Sequence, residues 1–285
     1  MKTALKAIGF CLVVGLLPVA TTAAVERVVS LGGSVTETLF ALGAGGLVVA
    51  RDASSLEPAE VMRLPDVGYF RTISAEGVLA QQPTLIFAAQ GTGPENQVSI
   101  LKNSGVRFVH LEAKPSAAST LAMVREVGAV VGHTREAEAL AASLQSRFDE
   151  AAAIARRSAR PPKVAVLMGA GAGVYQAAFD GTAGSALIAL AGGVNPFTGI
   201  VGYKPVSAEE LIAADLDFIF VATRNGQVSG AAFAPLSKVP DSLTGTRAAQ
   251  TGRVQQMDMS YFLVFGPRIG DAVVAFARAI HPPVP

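Results

Sequence analysis

The chain has 285 residues and a nearly even balance of charge, with 23 Lys and Arg against 22 Asp and Glu. No long basic block interrupts this balance, so the sequence excludes the electrostatic footprint of a nucleic-acid-binding protein. Alanine, glycine and valine are abundant and tryptophan is absent. This composition predicts a compact α/β protein in which apolar helices cover parallel strands.

The N-terminus predicts a secretory signal peptide over residues 1–24. Lys2 and Lys6 precede an apolar run over residues 7–19, and small residues at positions 21–24 supply a cleavage site. The run is too short to cross a bilayer, so it does not indicate a membrane anchor. The single cysteine, Cys11, lies inside this run, which leaves the mature chain without a disulfide or a thiolate metal ligand. We therefore expect a protein exported to the periplasm.

Strand and helix patterns alternate through residues 25–132, which we interpret as an N-terminal α/β lobe. Ser34 or Thr36 is expected to cap the first helix, and Ser74 the second. Residues 67–72, just before that second helix, are expected to be extended or looped. The expected strands are 27–31, 47–50, 84–88 and 106–111, and the expected helices are 37–42, 75–82 and 96–104.

Residues 133–160 predict one long helix. Thr134 can cap it, and no glycine or proline follows before Pro161. A helix of more than about 20 residues is roughly 30 Å long, which is enough to bridge two lobes rather than to cover one.

Residues 161–285 return to the alternating pattern and predict a C-terminal α/β lobe. The expected strands are 163–168, 218–222 and 254–257, the expected helices are 182–190, one from 208 and 268–280, and 169–175 is a glycine-rich loop. Consecutive βα units build parallel sheets, which bind ligands at the carboxyl ends of their strands. The predicted fold class is therefore α/β, with two Rossmann-like lobes of parallel strands, one long helix joining them, and a ligand in the cleft between the lobes.

An internal repeat relates the two predicted lobes. Residues 73–80 read ISAEGVLA and residues 206–213 read VSAEELIA, 133 residues further on. Each copy follows a Gly-Tyr pair and precedes an apolar strand, as expected for two similar lobes that face each other. The side chains expected to face the cleft are Tyr69, Arg71, Tyr175, Tyr203, Lys204 and Arg224.

Tyr69 and Arg71 stand two positions apart in the first copy. In an extended segment such residues point to the same side, so a phenol and a guanidinium would share one surface. A phenolate is a hard anionic ligand that suits ferric iron, and tyrosine serves as an axial ligand of haem iron. The alternative is a surface tyrosine that packs on a loop, and the spacing by itself leaves both interpretations open.

Other kinds of site find little support. The glycine-rich loop does not match the dinucleotide-binding pattern, and we interpret it as close approach of backbone to a flat ligand or to the opposite lobe. His110, His133 and His281 are scattered, which argues against a zinc site. No Gly-x-Ser-x-Gly motif is present. No catalytic residue is therefore predicted, and the protein is not expected to be an enzyme.

Two acids, Glu95 and Glu209, lie at the starts of helices, one in each half. Favourable placement at a helix N-terminus is sufficient to explain either one. The alternative is that each acid meets an arginine of a membrane partner.

Four stretches carry a resemblance to a known family. They are LPDVGYFRTISAEGVLAQQPTLIF (64–87), RVVSLGGSVTETLFALGA (27–44), GYKPVSAEELIAADLDFIFVATRNG (202–226) and YFLVFGPRIGDAV (261–273). With these, essentially the whole mature chain resembles the haem-binding periplasmic proteins of bacterial haem ABC importers. That family belongs to the helical-backbone class of substrate-binding proteins, together with cobalamin- and siderophore-binding proteins.

The resemblance implies roles for individual residues. The tyrosine of the Gly-Tyr-x-Arg motif, Tyr69, would be the axial ligand of ferric haem iron, with Arg71 beside it. Arg224 would lie beside haem or its propionates. The implied partners are an inner-membrane permease with its ATPase, and an outer-membrane haem receptor system as donor. Similarity to the cobalamin branch implies that Glu95 and Glu209 dock on the permease, although the internal repeat makes Glu76 a rival.

One departure from the family bears on the number of haems. Members that hold two haems use a histidine in the loop after the first strand of the second lobe, and loop 169–175 has none. A single haem is therefore expected, with Tyr175 as a weaker option for a second ligand. The protein itself is expected to be a monomer. The rival interpretations are a ferric siderophore or cobalamin on the same scaffold, and an exported haem-dependent or hydrolytic enzyme.

Overall fold

The computed structural model of the protein describes residues 26–112, 114–169, 174–223, 233–236 and 238–282. The proposed signal peptide lies outside this range. Within it, no helix combines the length and the hydropathy needed to cross a membrane.

The first half of the chain forms a four-stranded parallel sheet with the strand order β2-β1-β3-β4. Its strands are short apolar runs, and those at the centre are buried on both faces because helices cover both sides. The strands are β1 (Val28–Leu31), β2 (Val48–Arg51), β3 (Leu85–Ala89) and β4 (Arg107–Leu111). The helices are α1 (Gly33–Ala41), α2 (Ala75–Leu79), α3 (Glu95–Lys102) and α4 (Ala117–Val131), and short 3-10 turns occupy Gly45–Leu47, Ala59–Arg63 and Phe70–Thr72.

The start of α1 differs from the sequence prediction. Gly32 occupies the N-cap position and supplies no side-chain cap, so Ser34 and Thr36 lie inside the helix. Gly32 has φ 114°, and a Cβ atom there would lie 2.5 Å from Cβ of Ala89. Only glycine fits this tight turn from strand to helix, which moves the helix start ahead of the polar side chains. The N-cap predicted at Ser74 is confirmed, since its side chain accepts a hydrogen bond from N of Gly77.

One long helix, α5 (Thr134–Ala155), connects the two halves. It packs against α4 on one side, where Gly128 allows the backbones to approach closely: a Cβ there would lie 2.3 Å from Cβ of Ala137. On its other side it packs against helices of the second half.

The second half forms a six-stranded sheet with the strand order β7-β6-β5-β8-β10-β9. Four strands run in one direction, whereas β6 and β9 run the other way. The strands are β5 (Val164–Gly169), β6 (Tyr175–Ala178), β7 (Tyr203–Val206), β8 (Phe218–Thr223), β9 (Phe233–Pro235) and β10 (Val254–Asp258). The helices are α6 (Ala183–Leu190), α7 (Ala208–Ala213), α8 (Asp241–Thr244), α9 (Arg247–Gln250), α10 (Met259–Phe262) and α11 (Ile269–Ile280).

The predicted fold class, α/β with two lobes, is confirmed. The largest hydrophobic core runs through both lobes: it includes Leu39 and Phe87 of the first, Phe148 of α5, and Phe220 and Phe276 of the second. An ion pair also crosses between the lobes, because Nη2 of Arg268 donates to Oε1 of buried Glu37 at 2.7 Å. Burial raises the pKa of Glu37 above its ordinary value, although the bond from Arg268 opposes the shift.

Candidate functional site

Tyr69 lies on a segment that runs beside β2, at the edge of the first sheet. Asp66 forms a parallel bridge with Arg51, and the Arg51 guanidinium holds the Asp66 carboxylate at 2.8 Å. Asp66 in turn accepts a hydrogen bond from N of Gly68 at 2.8 Å. N of Ala53 donates to the carbonyl of Gly68 at 2.9 Å. The residue just before Tyr69 is thus fixed to the loop that follows β2.

The residues after Tyr69 are fixed to a different loop. The carbonyl of Phe70 accepts from N of Gly93, and N of Ile73 donates to the carbonyl of Gly93, each at 2.9 Å. N of Thr72 donates to the carbonyl of Tyr69 at 2.8 Å and closes the 3-10 turn. Tyr69 therefore sits between the loop after β2 and the loop after β3, both at the carboxyl ends of parallel strands.

The turn changes how Tyr69 and Arg71 are related. Residues 70–72 form a 3-10 turn rather than the extended segment that the two-residue spacing assumed. Phe70 contacts both side chains: the Tyr69 ring meets it edge-on at a centroid distance of 5.1 Å, and the Arg71 guanidinium lies 4.7 Å from its centre. Arg71 also lies against Gly91, where a Cβ would come within 2.4 Å of Nη1. The phenol ring and the guanidinium thus contact the same aromatic ring.

Both functional groups are available to a ligand. Tyr69 is 41% exposed, and no hydrogen bond engages its hydroxyl within the described residues. Arg71 is exposed and has no ionic partner in that same part of the chain. An unpaired cation and an exposed phenol in one short segment favour a bound anion or a phenolate ligand.

Sequence reasoning missed a buried carboxylate directly behind this segment. Asp52 follows β2 and is fully buried. Its Oδ1 accepts from N of Gly32 at 2.9 Å and from Oγ of Ser55 at 2.6 Å. Its Oδ2 accepts from N and Oγ of Ser54 at 2.9 and 2.6 Å, and from N of Phe70 at 3.4 Å. The available signal was an acid at the end of a strand followed by two serines, a pattern typical of a tight polar loop.

Tyr175 lies at the carboxyl end of the second sheet, where it pairs with Gly169. Its side chain is only 9% exposed and belongs to a core with Leu167 and Val206. Burial raises the pKa of the Tyr175 phenol, which disfavours the phenolate. Tyr175 is therefore a packing residue in this structure, with little surface to offer a ligand.

Tyr203 is partly buried against the core of the second lobe, where it pairs with Ala178 at the end of β6. Its hydroxyl accepts a hydrogen bond from N of Gly184 at 3.2 Å, at the start of α6. Burial raises the pKa of this phenol, although its hydrogen bonds with Gly184 and Thr182 oppose the shift. The neighbouring Lys204 is exposed on edge strand β7. The placement of Tyr203 argues against a ligand role, whereas Lys204 stays open to solvent.

Two further parts of the expected site, Arg224 and residues 170–173 of the glycine-rich loop, lie outside the described residues. Elsewhere in the described chain, no group of three His, Cys, Asp or Glu side chains is placed to hold a metal ion.

The three candidate docking acids are all exposed in the first turns of helices. Glu76 borders a groove of about 670 Å³ between α2 and α3, lined by Leu79, Gln97 and Ile100 among others. Glu95 lies 4.0 Å from Lys102, with both side chains largely exposed. Glu209 stands next to Glu210, whose carboxylate accepts from N of Ser207 and completes a capping box. Glu209 itself takes no part in that box.

Comparison with known proteins connects this architecture to a family. A family model described as periplasmic binding protein matches residues 28–261. The fold is similar to that of the periplasmic haem-binding protein RhuT from Roseiflexus sp. RS-1, with a TM-score of 0.81, 36% identity, and coverage of 90% of this chain and 98% of that one. It is also similar to a periplasmic haem-binding protein from Pseudomonas aeruginosa, with a TM-score of 0.80, 32% identity, and coverage of 91% and 94%.

A more distant similarity is to a protein named for a different ligand. The vitamin B12-binding protein of Pectobacterium atrosepticum is 27% identical over 223 residues, which make up 77% of this chain and 80% of that protein.

Proposed function

We propose, from the premise that the chain belongs to the periplasmic binding protein family, that it binds ferric haem and delivers it to an inner-membrane ABC importer. Proteins of this family bind substrates for transport and work with a permease and its ATPase. The observation that carries the proposal is Tyr69, an exposed phenol with a free hydroxyl whose ring contacts Phe70, the residue that also contacts the unpaired cation of Arg71. The similarity to haem-binding proteins at 36% and 32% identity supports the same ligand.

In this proposal the iron is held from the first lobe. The phenolate of Tyr69 would supply a hard anionic ligand to ferric iron, and Arg71 would add positive charge to the same part of the site. Tyr175 and Tyr203 are both largely buried, and burial disfavours their phenolates. The proposal therefore has one haem and one protein ligand, with Tyr69 as the axial residue.

The remaining affinity comes from the cleft between the lobes. Apolar burial of the porphyrin supplies most of it, as in other sites for flat ligands. Cations would meet the haem propionates, and Arg224 and Lys204 are the candidates in the second lobe. An outer-membrane haem receptor system is the proposed donor, and the periplasm the proposed compartment, with residues 1–24 as a cleaved signal peptide.

An absorption titration with haemin tests the proposal. The protein should shift the Soret band and produce the charge-transfer features of tyrosinate-ligated ferric haem. Tyr69→Phe should lose these features because it removes the ligand oxygen. Tyr203→Phe is the matched control, since it removes a phenol oxygen from the second lobe and should leave the spectrum unchanged. A haemin spectrum that does not change on adding the protein, or that is the same in Tyr69→Phe, would refute the proposal.

Cobalamin is the second candidate ligand, favoured by the similarity to the vitamin B12-binding protein. A cobalamin site has no need of an exposed phenol beside a cation, which is why we place haem first. The same titration repeated with cyanocobalamin separates the two. Tighter binding of cobalamin than of haemin, insensitive to Tyr69→Phe, would favour the second candidate.

For docking on the permease, we propose Glu209 together with one acid of the first lobe. Glu95 and Glu76 are both exposed at helix starts. The internal repeat places Glu76 at the position equivalent to Glu209, each two residues after a capping serine. Glu76 is therefore the preferred partner of Glu209, with Glu95 as the alternative.

A further inference from the structure

We infer that Asp52 is a positioning residue for the iron ligand, one that sets where the Tyr69 phenolate stands without touching haem itself. This inference rests on the proposed function. Asp52 lies at the carboxyl end of β2, and its carboxylate is fully buried. The hydrogen bonds that it accepts come from three separate segments of the chain.

The three segments are those that shape this edge of the first sheet. Gly32 belongs to the turn between β1 and α1, Ser54 and Ser55 to the loop after β2, and Phe70 to the turn that carries Tyr69. The bond from N of Phe70 matters most here because this amide joins directly to Tyr69. The next residue after the acid, Ala53, donates to the carbonyl of Gly68 on the other side of Tyr69. Residues 52 and 53 together hold both peptide neighbours of the proposed ligand.

A chain of hydrogen-bonded hydroxyl groups connects Asp52 to the first sheet and to α1. Oγ of Ser55 contacts Oγ1 of Thr36 at 2.7 Å, and Oγ1 of Thr36 contacts Oγ of Ser30 at 2.7 Å. Thr36 belongs to α1 and Ser30 to β1, and both are fully buried. The acid is thereby tied to rigid elements rather than to a mobile loop.

The way the charge of Asp52 is stabilised indicates that this residue positions Tyr69 rather than adding to the stability of the fold. In the part of the chain that the structure describes, no cation pairs with the Asp52 carboxylate. The guanidinium of Arg51 instead donates to the backbone carbonyl of Asp52 and to the Asp66 carboxylate. A buried charge held only by neutral donors carries a large desolvation cost. The result is a fixed geometry, because one anion aligns five donors from three segments. Ligands to a metal need such outer support to stay in place.

The test compares two buried carboxylates, one in each lobe. Asp217 is 5% exposed and accepts hydrogen bonds from Arg160 and from N of Lys163. It directly precedes β8 and therefore lies at the end of its sheet away from the cleft. Asp52→Asn and Asp217→Asn are prepared in the full mature chain. Each is measured for its urea unfolding midpoint, its haemin dissociation constant, and its tyrosinate charge-transfer band.

Both substitutions should lower the unfolding midpoint, because each leaves buried donors without an anion. Only Asp52→Asn should weaken haemin binding, by about 10- to 100-fold, the usual loss when the outer support of a metal ligand is removed. It should also diminish the charge-transfer band under conditions where the protein is fully folded. Ser54→Ala removes one of the donors to Oδ2 of Asp52, the oxygen that also accepts from N of Phe70, and should give a smaller change of the same kind. It replaces Asp52→Asn in the test if that variant folds poorly.

The inference is wrong if Asp52→Asn and Ser54→Ala keep the affinity and the band of the unmodified protein. It is equally wrong if Asp217→Asn weakens haemin binding as much as Asp52→Asn does, since the effect would then be one of general stability. An unmodified protein without any tyrosinate band is a different result, which refutes the proposed function itself.

Discussion

The two copies of the internal repeat fold alike over their helices and differently over their tyrosines. In both copies a serine caps the helix, Ser74 in the first lobe and Ser207 in the second. In both, the glycine before the tyrosine has a positive φ, 91° at Gly68 and 98° at Gly202. Yet Tyr69 is 41% exposed, whereas the hydroxyl of Tyr203 accepts a hydrogen bond at the start of α6. The same short pattern thus produces one candidate ligand and one packing residue.

The neighbouring strand accounts for the difference. In the second lobe, β6 offers β7 a full antiparallel partner, and this pairing directs Tyr203 towards α6. In the first lobe, the equivalent segment pairs with β2 only through the bridge between Arg51 and Asp66, and then leaves the sheet in a 3-10 turn. A repeated motif therefore specifies its cap and helix locally, whereas the edge strand beside it decides what its tyrosine does.

The largest expected effect concerns the acids that the two copies share. Glu76→Lys combined with Glu209→Lys should abolish haem uptake through the importer while haemin binding persists, because the reversed charges would repel arginines on the permease. Uptake by the reconstituted importer measures the first effect and absorption titration the second. Glu95→Lys is the control and should retain uptake. If Glu95→Lys abolishes uptake and Glu76→Lys does not, the first-lobe docking acid is Glu95.

A smaller effect is expected from the paired glycines. Gly68→Ala and Gly202→Ala should each lower the free energy of unfolding by about 1–2 kcal/mol, because a left-handed backbone strains any residue with a Cβ. Neither new Cβ would clash with a neighbour. No atom lies within 4 Å of a Cβ at Gly68, and the nearest atom to a Cβ at Gly202 is a side-chain carbon of Lys204 at 4.0 Å. Only Gly68→Ala should also weaken haemin binding, since it redirects the chain just before Tyr69. Equal losses of binding in both variants would contradict the assignment of Tyr69 to the site and Tyr203 to the core.

The smallest effect comes from making the first copy resemble the second. Glu210 completes a capping box in α7, and the equivalent residue in α2 is Gly77. Gly77→Glu should stabilise the protein by about 0.5–1 kcal/mol, because it removes a flexible glycine from a helix and adds the reciprocal cap. A Cβ at Gly77 has room, with Cβ of Ser74 at 3.9 Å. Urea unfolding measures the gain, and an unchanged or lower midpoint would show that the two caps are not interchangeable.

The sequence was sufficient for the fold class and for the elements with strong local signals. Buried apolar runs such as β3 and β8, and the long helix α5, depend on patterns that a few neighbouring residues determine. Strands β6 and β7 were missed because they are four residues each, with Pro205 inside β7, and they exist only through pairing with each other and with β5. The hydrogen bond of the Tyr203 hydroxyl with N of Gly184 depends on the same strand pairing, so the local sequence pattern did not indicate it.

The candidate site was predictable to a similar degree. The Gly-Tyr-x-Arg pattern made Tyr69 and Arg71 candidates, but the contacts of both side chains with the Phe70 ring follow from a turn that the spacing did not indicate. The acid and two serines after β2 indicated a tight loop at Asp52, but not that its carboxylate accepts hydrogen bonds from Gly32 and Phe70, which are distant in sequence.

The hydrophobic core that passes through α5 has a consequence for how the protein folds. Two sheets with a cleft between them suggest a pair of independent modules, yet Leu144 and Phe148 of α5 share one core with Leu39 before them and Phe276 after them. Neither half of the chain can bury its side of α5 alone. We therefore expect a single cooperative unfolding transition, and a truncation before α11 should destabilise the Tyr69 region even though the two are far apart in sequence. The C-terminal helix is in this sense a structural requirement for the Tyr69 region of the first lobe.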